Sequence, residues 1–463
     1  MFAKILKHDL HASRRRPRRF LPALPLAALV GLALQAPGAR AQQLRFTPFR
    51  ADGTYAVGQR VGWRVEPAAG QPAPRGTFTY TVFRDGATPV GQGTFDLSHG
   101  RATLETSLPE PGMILVEVRP PAGMESFRGE SLGEKGRVLL GAAVAPLSIR
   151  ASQPRPGDFD EFWATKLRDL AAVPAEPVVE PVESGVAGVE YAHVRLNNVD
   201  GAHVYGQLAR PTAGSKLPAL VIFQWASPPY PLQRSWVTDR ASEGWLVLNV
   251  EPHDVPADMP QAFYDALPER IKEYHLIGRH SRDESYFLSM YLGDYRALEY
   301  VTGRPDWDGR TLVVMGTSMG GQQSLAMAGL HPKVTAVLAN VPSGADVGGP
   351  LHGRMPSYPR WEVTRPEVLE TAAYFDPANF APRIRARTLV ALGFIDETSP
   401  PCSVWAAYNA IPADKEVVPM VTAPHNHLST PEEVEGWTRR SAEWLGQLVT
   451  PRTAPIDRGA GGP

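Results

Sequence analysis

The rhythm of hydrophobic and polar positions changes near residue 150. From about Leu44 to Ile149 the stretches "GTFTYTVFRDG", "GQGTFDLSHGRATLETSL" and "MILVEVRP" alternate apolar and polar residues and break at Gly, Asp and Pro. Period-two alternation makes strands with one buried face, and short strands at this spacing cover that face with a second sheet. The pattern predicts a small Ig-like β-sandwich over residues 42–150. It holds no cluster of catalytic side chains, so a structural or substrate-presenting role is expected of it.

Pro154 and Pro156 end the strand region, and a helical period follows in "DFDEFWATKLRDL". Phe159, Phe162, Trp163 and Leu167 share one face, with Asp158 at the cap position. Beyond it, apolar runs without alternation alternate with helical stretches. The runs are "ALVIF", "WLVLNV", "TLVVM", "VTAVLAN", "TLVALG" and "EVVPMV". Strands buried on both faces read this way, so residues 151–450 are expected to form an α/β unit with a mainly parallel sheet flanked by helices. Residues 451–463 are expected to be a disordered tail.

Composition narrows the function classes. The chain has 463 residues, 43% hydrophobic and 21% charged, in the range of soluble globular proteins. A net charge of -1 offers no field for nucleic acid. The basic "SRRRPRRF", the apolar "LPALPLAALVGLALQA" and "ARA" at Ala39–Ala41 read as a signal peptide over residues 1–41. The mature chain would then start near Gln42, in the periplasm or outside the cell, without stable insertion in the membrane. The paired arginines leave Sec and twin-arginine export both open. The single cysteine, Cys402, excludes an internal disulfide, and no Cys/His cluster has zinc-site spacing. No metal or organic cofactor is expected.

The stretch carrying chemistry is "VVMGTSMGGQQSLAMAGLHP". A buried strand runs into Gly316-Thr317-Ser318-Met319-Gly320, and a helix leaves it. That strand–turn–helix setting lifts a serine hydroxyl above the sheet and aims the N–H of Met319 where an oxyanion would form. A serine needs a base, and the base an orienting acid; in this architecture they follow in the order Ser, Asp, His. Asp396 follows the strand "TLVALG", whereas Asp346 and Asp376 follow less clear strand ends and read as loop or cap residues. After "EVVPMV" the loop "TAPHNHLSTPEE" offers two bases, His425 and His427. Thr430, Pro431 and Glu433 then fit a capping box opening the last helix. Asp294, on the apolar stripe of Phe287, Tyr291, Leu298 and Val301, reads as a buried structural carboxylate.

From Gly157 to the last helix the chain resembles the acetyl xylan esterase and cephalosporin-C deacetylase family of α/β-hydrolases. The resemblance lies in "DFDEFW", "YLGDYRALEYVTGRPDWDGRTLVVMGTSMGG" and "GFIDETSPPCSVWAAYNAI", followed by the histidine loop. It implies Ser318 as nucleophile, Asp396 as acid and His425 as base, since an ungapped count from Lys415 and Glu416 lands on His425. The chain also departs from the family. Met319 stands where Gln is usual, His425-Asn426 replaces His-Glu, and Gln224-Trp225-Ala226 replaces the His-Gly-Tyr whose tyrosine helps form the oxyanion hole. The second oxyanion donor is therefore expected from the backbone, at Ala226 or a neighbour. Trp225 is a candidate to stack on a sugar face, and His253, in "NVEPHDVPAD", to shape the pocket. The family often forms ring-like oligomers, which makes a homo-oligomer an open expectation.

Together these readings point to an exported serine esterase that removes acetyl or other small acyl groups from a small-molecule or polysaccharide ester. Two alternatives use the same features. One is a serine peptidase of this fold with an N-terminal β-domain, and the other a carbohydrate-binding protein with a vestigial triad.

Overall fold

A computed structural model of the chain describes residues 44–122, 137–425 and 431–449. The expected signal peptide, the tail, His427 and Thr430 of the expected capping box lie outside the described residues. The N-terminal strands are β1 Leu44–Pro48, β2 Thr54–Tyr55, β3 Val61–Pro67, β4 Phe78–Arg84, β5 Thr88–Phe95, β6 Ala102–Thr106, β7 Gly112–Arg119 and β8 Val138–Val144. They form a three-stranded sheet, β1-β3-β6, and a five-stranded sheet, β2-β8-β7-β4-β5. Alternation explains the packing between them: Leu44, Val61, Trp63, Val65, Phe78, Val82, Ile114, Val116 and Val138 make one core between the sheets. A stacked Phe78–Phe95 pair, 5.0 Å between centroids, closes one part of it.

Helix α1, Phe159–Ala171, then leads into β9 Val178–Val182, β10 Val189–Asn197, β11 His203–Pro211 and β12 Leu217–Phe223. Helix α2 Ser235–Ser242, β13 Leu246–Glu251, α3 Tyr286–Gly303, β14 Trp307–Thr317, α4 Met319–Leu330 and β15 Ala336–Asn340 follow. Helix α5 Pro366–Ala373, β16 Arg387–Gly393, α6 Pro401–Ala410, β17 Lys415–Met420 and α7 Pro431–Val449 complete the chain. The nine strands β9 to β17 form one sheet in the order β17-β16-β15-β14-β12-β13-β11-β10-β9. From β13 to β17 every pairing is parallel. This is the α/β-hydrolase arrangement, preceded by the β-sandwich.

The parallel strands are the continuous apolar runs, covered on both faces. Ala219, Val221, Leu312, Val314, Val337 and Val390 pack into the core under α1, α3 and α4. Leu220, Val247, Val313, Leu338 and Leu389 face the opposite core with Trp437 and Trp444 of α7. The antiparallel extension β9-β10-β11 does not stand out among the apolar runs. In "VEYAHVRLN" and "HVYGQLARP" polar residues alternate with apolar ones, and nothing in the runs of the parallel core extends to them.

Helix α1 buries Phe159, Phe162, Trp163 and Leu170, with Leu167 half-buried. Asp158 stands at its N-cap position, but the expected side-chain cap is not made. Its carboxylate is taken instead by Arg282, at 2.7 Å, and by the Tyr374 hydroxyl. A two-point grip from a guanidinium and a phenol outcompetes a single local N–H. Trp163 is the hub of this region. Its indole N–H donates to the Tyr374 carbonyl at 3.2 Å, and its ring meets Phe159, Phe162, Tyr291, Phe375 and Phe380. Truncating a fully enclosed indole typically costs about 3–5 kcal/mol. Trp163→Ala is therefore expected to lower the thermal midpoint clearly in a calorimetric scan, whereas an unchanged midpoint would contradict this packing.

Candidate active site

The elbow is a tight turn between strand and helix. Ser318 sits between β14 and α4 at φ 58°, ψ -118°, a conformation an L-residue adopts only under strain. Three backbone hydrogen bonds hold it there. Its N–H donates to the Asn340 carbonyl at 2.9 Å, and its own carbonyl accepts from Gln322 at 3.0 Å and Ser343 at 3.1 Å. The glycines on either side are steric requirements. A Cβ on Gly316 would collide with the Gly320 main chain, and one on Gly320 would collide with the Phe223 carbonyl.

Parallel pairing puts the carboxyl ends of neighbouring strands side by side, so three loops distant in sequence converge. Ser318 follows β14, Asp396 follows β16 in the loop before α6, and His425 follows β17. His425 Nε2 lies 3.0 Å from Ser318 Oγ, and its Nδ1 lies 2.8 Å from Asp396 Oδ2. Asp396 Oδ1 accepts the N–H groups of Thr398 at 2.8 Å and Ser399 at 2.7 Å, so both carboxylate oxygens are engaged. Asp396 and Ser318 are buried, while the His425 side chain keeps 19% exposure, enough to meet a solute.

Met319 is the first residue of α4, and the N–H groups at a helix start have no acceptor within the helix. Ala226 lies in the loop after β12, the strand that pairs with β14 through Phe223 and Gly316. Gln323 fastens that loop to α4: its Nε2 donates to the Gln224 carbonyl at 3.0 Å. The Met319 side chain is fully buried, and the Tyr274 hydroxyl touches its sulfur at 3.4 Å and the Tyr358 hydroxyl at 2.7 Å. Tyr274 and Tyr358 are not legible as site residues in the sequence, because neither sits in a motif. Only the fold carries them to the residue after the serine.

The other candidates are placed as follows. The half-exposed ring of Trp225 stacks on Tyr230, 5.6 Å between centroids and 13° between planes, and meets the edge of Trp236 at 5.2 Å. With Trp236, Asp239, Arg240, Glu243 and Thr317 it lines a cavity of about 360 Å³ beside the elbow strand. Asp346 is bound by Arg354 and by the N–H and hydroxyl of Ser152. Asp376 accepts the N–H groups of Asp346, Val347 and Ala378. Both hold loops together, away from His425. Asp294 is buried in α3, and burial raises its carboxyl well above the usual range. Among the described residues, no group of three or more His, Cys, Asp or Glu side chains is placed to hold a metal ion.

His253 is buried behind Tyr274, its ring 4.6 Å from the tyrosine ring. Its Nε2 faces the Ser227 carbonyl at 3.2 Å and its Nδ1 the Tyr286 hydroxyl at 2.5 Å. A carbonyl can only accept, so Nε2 carries a proton, while the Tyr286 hydroxyl bridges Nδ1 and the Pro252 carbonyl, the latter at 2.7 Å. Desolvation disfavours the charged ring and pushes its pKa down to about 3. His253 thus supports the Ser227 end of the loop after β12 as a neutral imidazole. Its ring resonances are expected to stay unchanged from about pH 8 to about 4 in an NMR titration. A midpoint near the ordinary histidine value would contradict the buried, doubly bonded ring.

The profile described as "Acetyl xylan esterase (AXE1)" matches residues 147–348 and 356–441. The acetyl esterase Axe7A of Xylanibacter ruminicola is 27% identical over 403 residues, covering 85% of this chain and 89% of that protein. The acetyl xylan esterase from Paenibacillus sp. R4 superposes with a TM-score of 0.56 at 25% identity, over 64% of this chain and 98% of its own. The acetyl xylan esterase 1 structure from Thermoanaerobacterium sp. JW/SL YS485 shares the fold, with a TM-score of 0.56 at 22% identity, over 66% and 98%. The Axe7A alignment is long enough to take in the β-sandwich region as well as the hydrolase part. The matched profile spans most of the chain, and it places this protein in the acetyl xylan esterase family, a family of carboxylic ester hydrolases.

Proposed function

We propose that this protein is an exported serine esterase that deacetylates carbohydrate esters through a Ser318–His425–Asp396 triad. One observation carries the reading: the continuous relay from Ser318 Oγ through both nitrogens of His425 to a buried carboxylate, at 3.0 and 2.8 Å. Family membership supports the substrate class, because the relatives are named for acetyl esters and acetyl xylan.

In this mechanism the ester carbonyl comes within reach of Ser318 Oγ. The oxygen forms a bond to the acyl carbon while its proton passes to His425 Nε2, and the carbonyl π electrons move onto oxygen. The N–H groups of Met319 and of Ala226 or a neighbour stabilise that oxyanion, helped by the positive end of α4. Asp396 keeps Nδ1–H in place and offsets the charge on the imidazolium. Collapse of the tetrahedral adduct expels the sugar alkoxide, which takes the proton back from Nε2 and leaves an acyl-serine. A water molecule, deprotonated by the same nitrogen, attacks the acyl carbon; when the second adduct collapses, Nε2 returns the proton to the departing Ser318 Oγ and acetic acid is released, ionising to acetate.

Replacing Ser318 by Ala should remove at least about 10⁴-fold of kcat on p-nitrophenyl acetate while the circular dichroism spectrum is unchanged. Turnover near the wild-type value would contradict the assignment. His425→Ala should be about as damaging, and His427→Ala should retain appreciable activity. The reverse ranking would transfer the base to His427.

On acyl length, kcat/KM should fall steeply from acetyl to butyryl to octanoyl p-nitrophenyl esters. Acetylated xylo-oligosaccharides should release acetate, whereas an aminoacyl anilide should be inert. A profile that rises with chain length, or cleavage of the anilide, would overturn the substrate reading. Export is tested separately by the mass of protein recovered outside the cytoplasm. A start near Gln42 is expected, and an intact N-terminus on a membrane-retained form would contradict it.

A further inference from the structure

The N-terminal β-sandwich touches the hydrolase where Asp396 is held. Both chain neighbours of that residue are held by the sandwich, Ile395 on β7 and β8 and Glu397 by Arg137, the residue before β8. On the N-terminal side, Ile395 forms a small apolar cluster with Leu115 and Leu139, joined by Phe83 and Met355. Phe394 lies directly on Gly141 of β8: a Cβ there would stand 2.5 Å from Phe394 Cβ and 2.7 Å from its carbonyl oxygen. On the C-terminal side, Glu397 pairs with Arg137 at 2.7 Å, and Arg137 is itself held by Glu117 of β7 at 2.6 Å. Gly53, in the loop before β2, reaches Phe394 and also Val421, four residues before His425. Met355 and Cys402 close the seam on the sandwich's Asp85 carbonyl, by an N–H bond of 2.9 Å and a sulfur contact of 3.8 Å.

We propose that the β-sandwich is a positioning element for the esterase reaction: through Gly141 and Arg137 it fixes the 394–397 segment and thereby the carboxylate of Asp396. The inference rests on the reading of Asp396 as the triad acid. Residue 396 belongs to a loop rather than to a strand, and among the described residues its Oδ1 is held by N–H groups of the same loop, Thr398 and Ser399. A carboxylate fixed by its own loop moves wherever the loop moves. The sandwich meets that loop on both sides of the acid, by close backbone packing at 394, apolar burial at 395 and an ion pair at 397. Gly141 is required because any side chain there would push the Phe394 main chain, two residues from the carboxylate that bonds His425. Gly141 and Arg137 act through Asp396, so both are positioning residues.

The test compares Gly141→Ala, Arg137→Ala and Asp396→Asn in the full-length chain, with Arg45→Ala as a control on an exposed sandwich pair remote from the seam. Rates on p-nitrophenyl acetate are normalised by active-site titration, so that a smaller folded fraction does not count as a slower enzyme. A misplacement near 1 Å costs on the order of 100-fold, so Gly141→Ala should lose roughly 10- to 100-fold in kcat with KM within about twofold. Arg137→Ala, which removes two partly exposed ion pairs, to Glu117 and to Glu397, should lose about two- to fivefold. In both, the loss should fall on kcat rather than KM, as in Asp396→Asn, and Arg137→Lys should recover most of what Arg137→Ala loses. Arg45→Ala should match wild type. Folded Gly141→Ala with wild-type kcat would overturn the proposal. If that variant does not fold, Arg137→Ala decides, and wild-type kcat there would overturn the proposal. Wild-type activity in Asp396→Asn would instead overturn the triad reading, so the two failures are told apart.

Discussion

The structure turns on one close approach, where helix α4 meets the end of β12 with no room for a side chain. Gly320 lies against the Phe223 carbonyl and Gly316 against Gly320, at distances a single methyl group would violate. That contact forces Ser318 into its positive-φ conformation, a local cost of about 1–3 kcal/mol, and the flanking sheet and helix sustain it. Everything the proposed triad requires of the site follows from the resulting direction. The hydroxyl leaves the sheet toward the loops after β16 and β17, while the amide of Met319 lies at the start of a helix. A looser turn would keep the same residues and lose their alignment.

Much of this was legible in the sequence, for reasons that differ by element. The parallel strands announce themselves because burial on both faces demands unbroken apolar runs such as "TLVVM" and "TLVALG". The elbow announces itself because only glycine fits beside it. Asp396 and His425 could be placed because each loop follows a recognisable strand end, and the structure joins Asp396 to His425 and His425 to Ser318. Other features could not be read. β10 and β11 mix polar with apolar residues, so they lack the signature of the parallel core. Asp158 has the residue type of a cap, yet Arg282 and Tyr374, far along the chain, claim its carboxylate. Tyr274 and Tyr358 reach Met319 only through tertiary folding, and no spacing rule links them to it.

The departures from the family pattern acquire a physical context in this packing. The residue after the serine is a methionine, and its environment is correspondingly apolar and aromatic: a buried thioether against a tyrosine hydroxyl. The usual histidine and tyrosine after the first core strand are replaced by Gln224, Trp225 and Ala226. Gln224 turns inward to Asn249 at 2.6 Å, while Trp225 turns outward onto Tyr230 and Trp236. The loop is held from below by Gln323 and from the side by neutral His253, so its backbone stays in register with the elbow although its side chains have changed. Support by the main chain tolerates such replacement better than support by side chains, because it does not depend on residue identity. The same logic applies at the sandwich seam, where a backbone-to-backbone contact at Gly141 does what no surface ion pair could do alone.

The central claim is that Ser318 is a nucleophile activated by His425. Its most direct test is covalent: incubate the protein with a fluorophosphonate ester, digest it, and locate the phosphonylated residue by mass spectrometry. One label per chain is predicted, on the peptide carrying Ser318, formed far more slowly in His425→Ala. A label on any other residue, or an undiminished labelling rate without His425, would contradict it.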